Sequence, residues 1–192
     1  MKKIFNLFKE SAQELQNIRC LCITAMLIAL NMILKCTLSI KVTNELIISF
    51  AYIALATIGA LYGPVTGFIA GSITDILGFM IKPTGPFDIR FTLIEAIAGM
   101  LYGLFLYRAK ADKTLLPRII GAKVSVMTIC NLWLNTWFLL TYTSKSFLML
   151  LPVRITKNLI QLPIDIFILY MCLPPILKAF KTYYLKRKNS LQ

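Results

Sequence analysis

The chain has 192 residues, of which 58% are hydrophobic, and its mean hydropathy is +0.74. A soluble domain of this length cannot bury so much apolar surface, so the composition indicates a membrane protein. The net charge of +13 does not indicate nucleic-acid binding, because the basic residues gather on short loops and no soluble segment carries a basic helix or an aromatic stacking platform.

The inventory of reactive side chains excludes several classes of site. The chain contains no histidine, which removes the commonest general base and the commonest transition-metal ligand. Its five cysteines are scattered through apolar runs without metal-ligand spacing, which is typical of reduced, packed thiols.

The predicted elements begin with a polar, amphipathic segment, residues 1–19, with no cleavable signal peptide. It is expected to lie on the cytoplasmic face as an interfacial helix, with Ile4, Phe5, Leu7 and Phe8 turned toward lipid. Six stretches of membrane-spanning length follow. These are residues 20–38, 46–62, 65–81, 91–108, 119–141 and 154–177.

Prolines and glycines punctuate these spans. Gly63-Pro64 separates the second from the third, and a turn-rich loop, residues 82–86, precedes the fourth. Leu151-Pro152 opens the sixth, and Pro174-Pro175 is expected to end or kink it. The pattern predicts an all-α, six-helix membrane bundle, residues 20–178, followed by a basic tail, residues 179–192.

Basic residues predict the orientation of the bundle. Most Lys and Arg residues fall on the N-terminal segment, on the loop from Arg108 to Arg118 and on the tail from Lys178. The positive-inside rule therefore places both termini in the cytoplasm. Loops 39–45, 82–90 and 142–153 then face outward.

Ionisable and amide side chains inside the spans are the candidate site residues, because such groups usually face a bundle interior. Each lies near the predicted outer end of its span, which predicts a half-depth cup open to the outside. Asp165 lies deeper and is expected to be structural. The candidates are Lys35, Asp75, Arg90, Glu95, Asn131, Asn135, Arg154, Lys157 and Asn158, with Trp133 and Trp137 beside them.

The chemistry of this cup favours an aromatic heterocycle that carries carboxylates. Cations exceed anions, and arginine presents a planar fork that suits a carboxylate. Trp133 and Trp137 can stack on a flat ring, while Asp75 or Glu95 and the asparagines can bind its amide edge.

Simpler interpretations remain open. Arg154 and Lys157 can extend to lipid headgroups, and the two tryptophans can belong to an interfacial belt. Asp75 and Glu95 can pair with those cations. A carboxylate pair, Asp75 with Glu95 or Asp165, is also what a small membrane enzyme would need, although no nucleophile or metal motif accompanies it.

Several motifs resemble a known family. Ala25-x-x-x-Ala29, together with the G-P…S-x-x-D-x-x-G pattern that runs from Gly63 to Gly78, resembles the S components of energy-coupling factor (ECF) vitamin transporters. Within that family, segments 86–93 and 151–158, the second with the pattern P-x-R-x-x-K-N, resemble the folate-specific branch. The resemblance covers nearly the whole chain beyond residue 19.

This resemblance implies a substrate-capture subunit in a bacterial plasma membrane, which is not an enzyme and needs no cofactor or metal. It implies folate or a related pterin as ligand, with riboflavin, thiamine or a similar heterocycle as alternatives. It further implies a T subunit that contacts Ala25 and Ala29, two ABC-type ATPases, and an outer loop, 39–45, that acts as a gate. The chain has no G-x-x-x-x-G-K-[ST] loop, so ATP must bind elsewhere.

Overall fold

The computed structural model describes residues 2–43, 46–83, 87–109, 112, 114–139 and 147–190. The described chain is helical apart from one two-stranded ribbon. Five of its described helical stretches are long and apolar enough to cross a membrane. In chain order the elements are α1 (Lys2–Glu14), α2 (Ile18–Thr37), β1 (Ser39–Thr43), β2 (Leu46–Ser49), α3 (Tyr52–Ile81), α4 (Ile89–Leu106), α5 (Leu115–Ser125), a π-helical segment (Val126–Leu134), α6 (Asn135–Leu139) and α7 (Phe147–Ser190).

The predicted N-terminal amphipathic helix is present as α1. Phe5 is exposed, while Leu7 and Phe8 are half-buried. The helix also makes a specific polar contact, because Ser11 is fully buried against α3. α1 therefore forms one end of the bundle, which we call the α1 end.

α3 contains the predicted break at Gly63-Pro64. Gly63 has φ +86°, a left-handed conformation that glycine adopts readily, and Pro64 then occupies a first helical position. A Cβ built on Gly67 would lie 3.6 Å from the Cα of Gly59, whereas residues eight apart in one straight helix lie about 12 Å apart. The chain therefore reverses direction at Gly63, and α3 consists of two antiparallel segments.

Ser11 satisfies the backbone groups that this reversal leaves without helical partners. Its hydroxyl donates to the carbonyl of Tyr62 at 2.6 Å and accepts from the amide of Val65 at 3.0 Å. The first amides of a helix need such acceptors. A side chain of α1 thus caps the second segment of α3.

Glycines allow α3 and α4 to pack with their backbones in direct contact. A Cβ on Gly99 would overlap the carbonyl oxygen of Gly67, and a Cβ on Gly59 would lie 2.7 Å from the amide nitrogen of Gly103. Small residues permit such close approach in membrane helices. We call this contact the glycine seam, formed by Gly59, Gly67, Gly71, Gly99 and Gly103.

The ribbon corrects the predicted second span. Residues 46–49, expected as the start of a helix, form β2, which pairs antiparallel with β1 from Ser39–Ser49 to Thr43–Leu46. The helix begins only at Tyr52. The predicted outer loop 39–45 is therefore largely a strand, with residues 44–45 outside the described part. We call the end of the bundle that carries β1 and β2 the ribbon end.

The remaining spans agree with the prediction in their centres but not at their ends. α4 covers the predicted fourth span, and α5, the π-helical segment and α6 run on from one another through the fifth up to residue 139. α7 begins at Phe147, within the predicted loop 142–153, whose residues 142–146 lie outside the described part. It continues past Pro174-Pro175 to Ser190, so these prolines do not end the helix and the predicted tail is helical up to that residue.

The apolar core lies between the helices. It is built mainly from large side chains of α3, α4, α5 and α7 that exclude solvent. Among its fully buried members are Leu55, Ile58, Tyr102, Leu106, Leu115, Ile119, Leu169 and Leu173.

Candidate functional site

Polar side chains of neighbouring helices contact one another near the ribbon end. Lys35, near the end of α2, lies against α3 at Gly78. A Cβ on that glycine would be only 2.9 Å from the lysine Nζ, so the absence of a side chain leaves room for the ammonium group. The lysine is half-buried and carries its charge toward the bundle.

Asp75 connects α3 to α4. Its carboxylate accepts a 2.7 Å hydrogen bond from the hydroxyl of Thr92, which is buried. Glu95 is half-buried on α4, and its backbone carbonyl abuts Gly71, one turn of α3 before Asp75. The carboxylate of Asp75 thus accepts from a neutral hydroxyl, which keeps it oriented.

Arg90 stands at the start of α4. Asp88 caps this helix by accepting from the backbone amide of Arg90 at 2.9 Å, and it also accepts from the arginine Nε at 2.7 Å. The guanidinium carbon lies 5.6 Å from the centre of the Phe138 ring on α6. These contacts fix the direction of a side chain that is still 39% exposed.

Asn131 and Asn158 connect the π-helical segment to α7. The amide nitrogen of Asn131 lies 3.5 Å from the side-chain oxygen of Asn158, which is buried. Short π-helical stretches often occur at functional sites. Asn135 is half-buried one turn farther along.

The structure thus places five of the predicted residues along one path from α2 to α7. We call Lys35, Asp75, Arg90, Asn131 and Asn158 the polar arc. Neighbouring helices approach one another along it through Lys35–Gly78, Asp75–Thr92, Arg90–Phe138 and Asn131–Asn158.

The predicted tryptophans lie at the surface of the described bundle. Trp133 and Trp137 are 67% and 61% exposed. This exposure is compatible with a place in an interfacial aromatic belt and with a place at the rim of a binding site. Lys157 is half-buried on α7. Arg154 belongs to α7 by its backbone, and its side chain lies outside the described residues.

The sequence analysis missed one charged residue, Lys123. Its Nζ lies 2.8 Å from the carboxylate of Asp165, and both side chains are at least nine-tenths buried. Gln161 also approaches this carboxylate, at 3.4 Å. Asp165 therefore pairs with a buried lysine, in line with the structural role expected from its depth in the span. The sequence did indicate Lys123, because it is a lone lysine inside the apolar run 119–141, and an ionisable side chain inside a span was the criterion for the other candidates.

Ala25 and Ala29, the predicted contact with a partner subunit, lie on α2. Both alanines are exposed on α2, so they can contact a partner helix. All five cysteines are free thiols, as predicted.

Comparison with known proteins decides the family. The family model described as "ECF-type riboflavin transporter, S component" matches residues 15–179. The chain belongs to this family of ECF-type S components.

Relatives of this S component include two folate transporters named FolT. That of Leuconostoc mesenteroides subsp. mesenteroides is 36% identical over 154 residues, which cover 78% of this chain and 81% of the relative. That of Clostridium novyi is 32% identical over 146 residues, covering 76% and 83%. The crystal structure of FolT bound with folic acid superposes with a TM-score of 0.72 at 25% identity, covering 80% of this chain and 92% of that one.

Membership of this family agrees with the apolar helices and makes the S component a multi-pass membrane protein of a transport system. It also argues against the membrane-enzyme interpretation of the carboxylates, since the relatives are transporter components.

Proposed function

We propose that this S component captures folate, or a closely related pterin, with high affinity and delivers it as part of an ECF-type ABC transporter. The observation that carries the proposal is the polar arc, which lies in a chain that matches folate transporters over more than three quarters of its length. Cations, amides and a carboxylate are together what a pterin with a glutamate tail requires.

The proposed role of each side chain in binding the ligand follows from its chemistry. Asp75, Asn131 and Asn135 bind the polar edge of the pterin, with Glu95 and Asn158 beside them, and Trp133 or Trp137 flanks the ring. The cations Lys35, Arg90, Arg154 and Lys157 hold the carboxylate end nearer the mouth. The approach of Arg90 to Phe138 and Asp88 supports this, because an arginine already oriented loses less entropy on binding.

The proposed orientation puts the ribbon end outside the plasma membrane of a bacterium and both termini in the cytoplasm. The reversal at Gly63 supports six crossings, because it divides α3 into two antiparallel segments. An even number of crossings leaves both termini on one side, and the basic residues of α1 and of the tail select the cytoplasm. β1 and β2 then form the gate over the cup.

The proposed partners are a T subunit and two ABC-type ATPases. The exposure of Ala25 and Ala29 supports α2 as the contact with the T subunit, since two small side chains one turn apart permit close helix approach. Replacing both with leucine should abolish uptake by the assembled transporter while the affinity for folate stays unchanged. Loss of folate binding as well would assign these alanines to folding instead.

A second candidate ligand is riboflavin, because the matching family model carries that description. The cations of the polar arc favour folate over riboflavin, which has no carboxylate for them to bind. Titration of the purified protein with both vitamins separates the candidates. Tighter binding of riboflavin than of folate would overturn the proposal.

The sharpest test of the proposal replaces Arg154 with alanine. A charge-assisted hydrogen bond contributes about 1.5–3 kcal/mol, so this change should weaken folate binding roughly ten- to a hundredfold. A pterin without the glutamate tail should bind both proteins equally. Arg19→Ala, at the exposed opposite end of α2, is the control and should change neither affinity. Equal weakening for both ligands would place Arg154 at the ring or in the fold.

A further inference from the structure

The buried ion pair of Lys123 and Asp165 lies outside the polar arc. Lys123 precedes Asn131 by eight residues and so lies nearer the α1 end. A charge buried among apolar helices is costly unless it is paired, and Asp165 pairs it at 2.8 Å. Because burying two charges carries a large desolvation free energy, we expect this pair to have a role beyond packing.

Lys123 also makes a second contact, with the first residue of α3. Its ammonium nitrogen lies 3.3 Å from the centre of the Tyr52 ring, a desolvated cation–π contact. The hydroxyl of Tyr52 is buried and has no hydrogen-bond partner among the described residues. The ring, rather than the hydroxyl, therefore makes the contact.

Tyr52 follows the ribbon after two residues, Phe50 and Ala51, since β2 ends at Ser49. The second of these residues, Ala51, is held from the other side, because the side-chain amide of Asn31 on α2 donates to its carbonyl at 2.8 Å. Ala51 also donates to the hydroxyl of Ser49 at 3.3 Å. The junction between ribbon and α3 is thus fixed both to α2 and, through Lys123, to α5 and α7.

We propose that Lys123, Asp165 and Tyr52 are positioning residues that anchor the base of the ribbon and thereby set how firmly it covers the ligand. This inference rests on the proposed capture of folate at the ribbon end. Asp165 keeps the ammonium of Lys123 in place, and the ammonium keeps the Tyr52 ring in place. Residues 49–51 then form the hinge on which the ribbon moves.

The anchor predicts a specific kinetic effect. When the ring contact is lost, the ribbon opens more often, so bound ligand escapes faster while the groups that bind it stay intact. Changes within one binding site usually appear in the dissociation rate. We expect the dissociation rate of folate to rise about tenfold and its association rate to change little.

The experiment compares three variants of the full chain in detergent. Tyr52→Leu removes the ring, and Tyr52→Phe is the matched control that keeps it. The double variant Lys123→Met with Asp165→Leu removes both charges together, so that no unpaired charge stays buried. Hydrogen exchange of backbone segment 39–51 is measured without ligand, with α4 as the reference segment, and folate dissociation is followed separately.

Tyr52→Leu and the double variant should each speed exchange of segment 39–51 several-fold and raise the dissociation rate, with exchange of α4 unchanged. Tyr52→Phe should match the wild type. Unchanged exchange of the ribbon in both variants would overturn the inference, as would equal acceleration in α4, which would indicate loss of the fold. Because exchange is measured without ligand, it decides the inference even if folate fails to bind at all.

Discussion

The glycine seam and one contact of the polar arc, Asp75 with Thr92, join the same pair of helices, α3 and α4, by opposite means. In the seam, backbone meets backbone, and even a methyl group on Gly99 would overlap the carbonyl of Gly67. In the arc, the contact is made through side chains, as when Thr92 bonds Asp75 at 2.7 Å. The same helices are thus closely packed along the seam and joined by polar groups that begin one turn beyond Gly71.

The difference shows how a small bundle can combine rigidity with a site. Close backbone packing needs no side-chain ordering, and it fixes the helices against each other through many weak contacts. Polar groups at the ribbon end can then be held in position without filling the space between them. The seam should therefore determine stability, and the arc should determine affinity.

The largest effect is expected from Gly99→Val. The added side chain has no room against the backbone at Gly67, so α3 and α4 must separate, and we expect loss of the monodisperse folded protein in size-exclusion chromatography. Gly121→Ala is the control, because its methyl group would meet only the Phe105 side chain at 3.1 Å. A Gly99→Val protein that is as stable as the control would show that the seam does not determine stability.

An intermediate effect is expected from Asp75→Asn, which keeps an acceptor for Thr92 but removes the charge. Loss of a charge-assisted hydrogen bond should weaken folate binding roughly ten- to a hundredfold, with an unchanged melting temperature. Thr92→Val, which leaves the carboxylate but removes its hydrogen-bond donor, should weaken folate binding about fivefold. Isothermal titration measures both, and an unaltered affinity in Asp75→Asn would remove this residue from the site.

The smallest effect is expected from Ser11→Ala, which removes the cap of the second segment of α3. Loss of a helix cap costs about 1 kcal/mol, so the melting temperature should fall by about 2–4 °C. Folate affinity should stay unchanged. Ser72→Ala is the control, since its hydroxyl donates to the carbonyl of Phe68 in its own helix at 3.1 Å. A change in affinity without a change in melting temperature would contradict the division between seam and arc.

Part of the close helix packing is visible in the sequence as the spacing of glycines. Gly67 and Gly71, and likewise Gly99 and Gly103, lie four residues apart, a spacing typical of close helix packing, and these two pairs predict much of the seam. The apolar run at residues 46–49 was wrongly predicted to be helical, because a short apolar run fits a strand and a helix equally well. Nothing local to it reveals the pairing of Leu46 with Thr43.

The sequence by itself determined the membrane class, the approximate positions of the spans, the break at Gly63 and the side chains near the ribbon end, because apolar length, proline–glycine punctuation and misplaced charge are local properties of the chain. Only the tertiary structure decided which of those side chains meet. Asn131 reaches Asn158 on α7, Lys123 reaches both Asp165 and Tyr52, and Ser11 caps a helix more than fifty residues away in the chain. Such contacts depend on how helices pack and on the reversal of α3, and no local pattern contains that information.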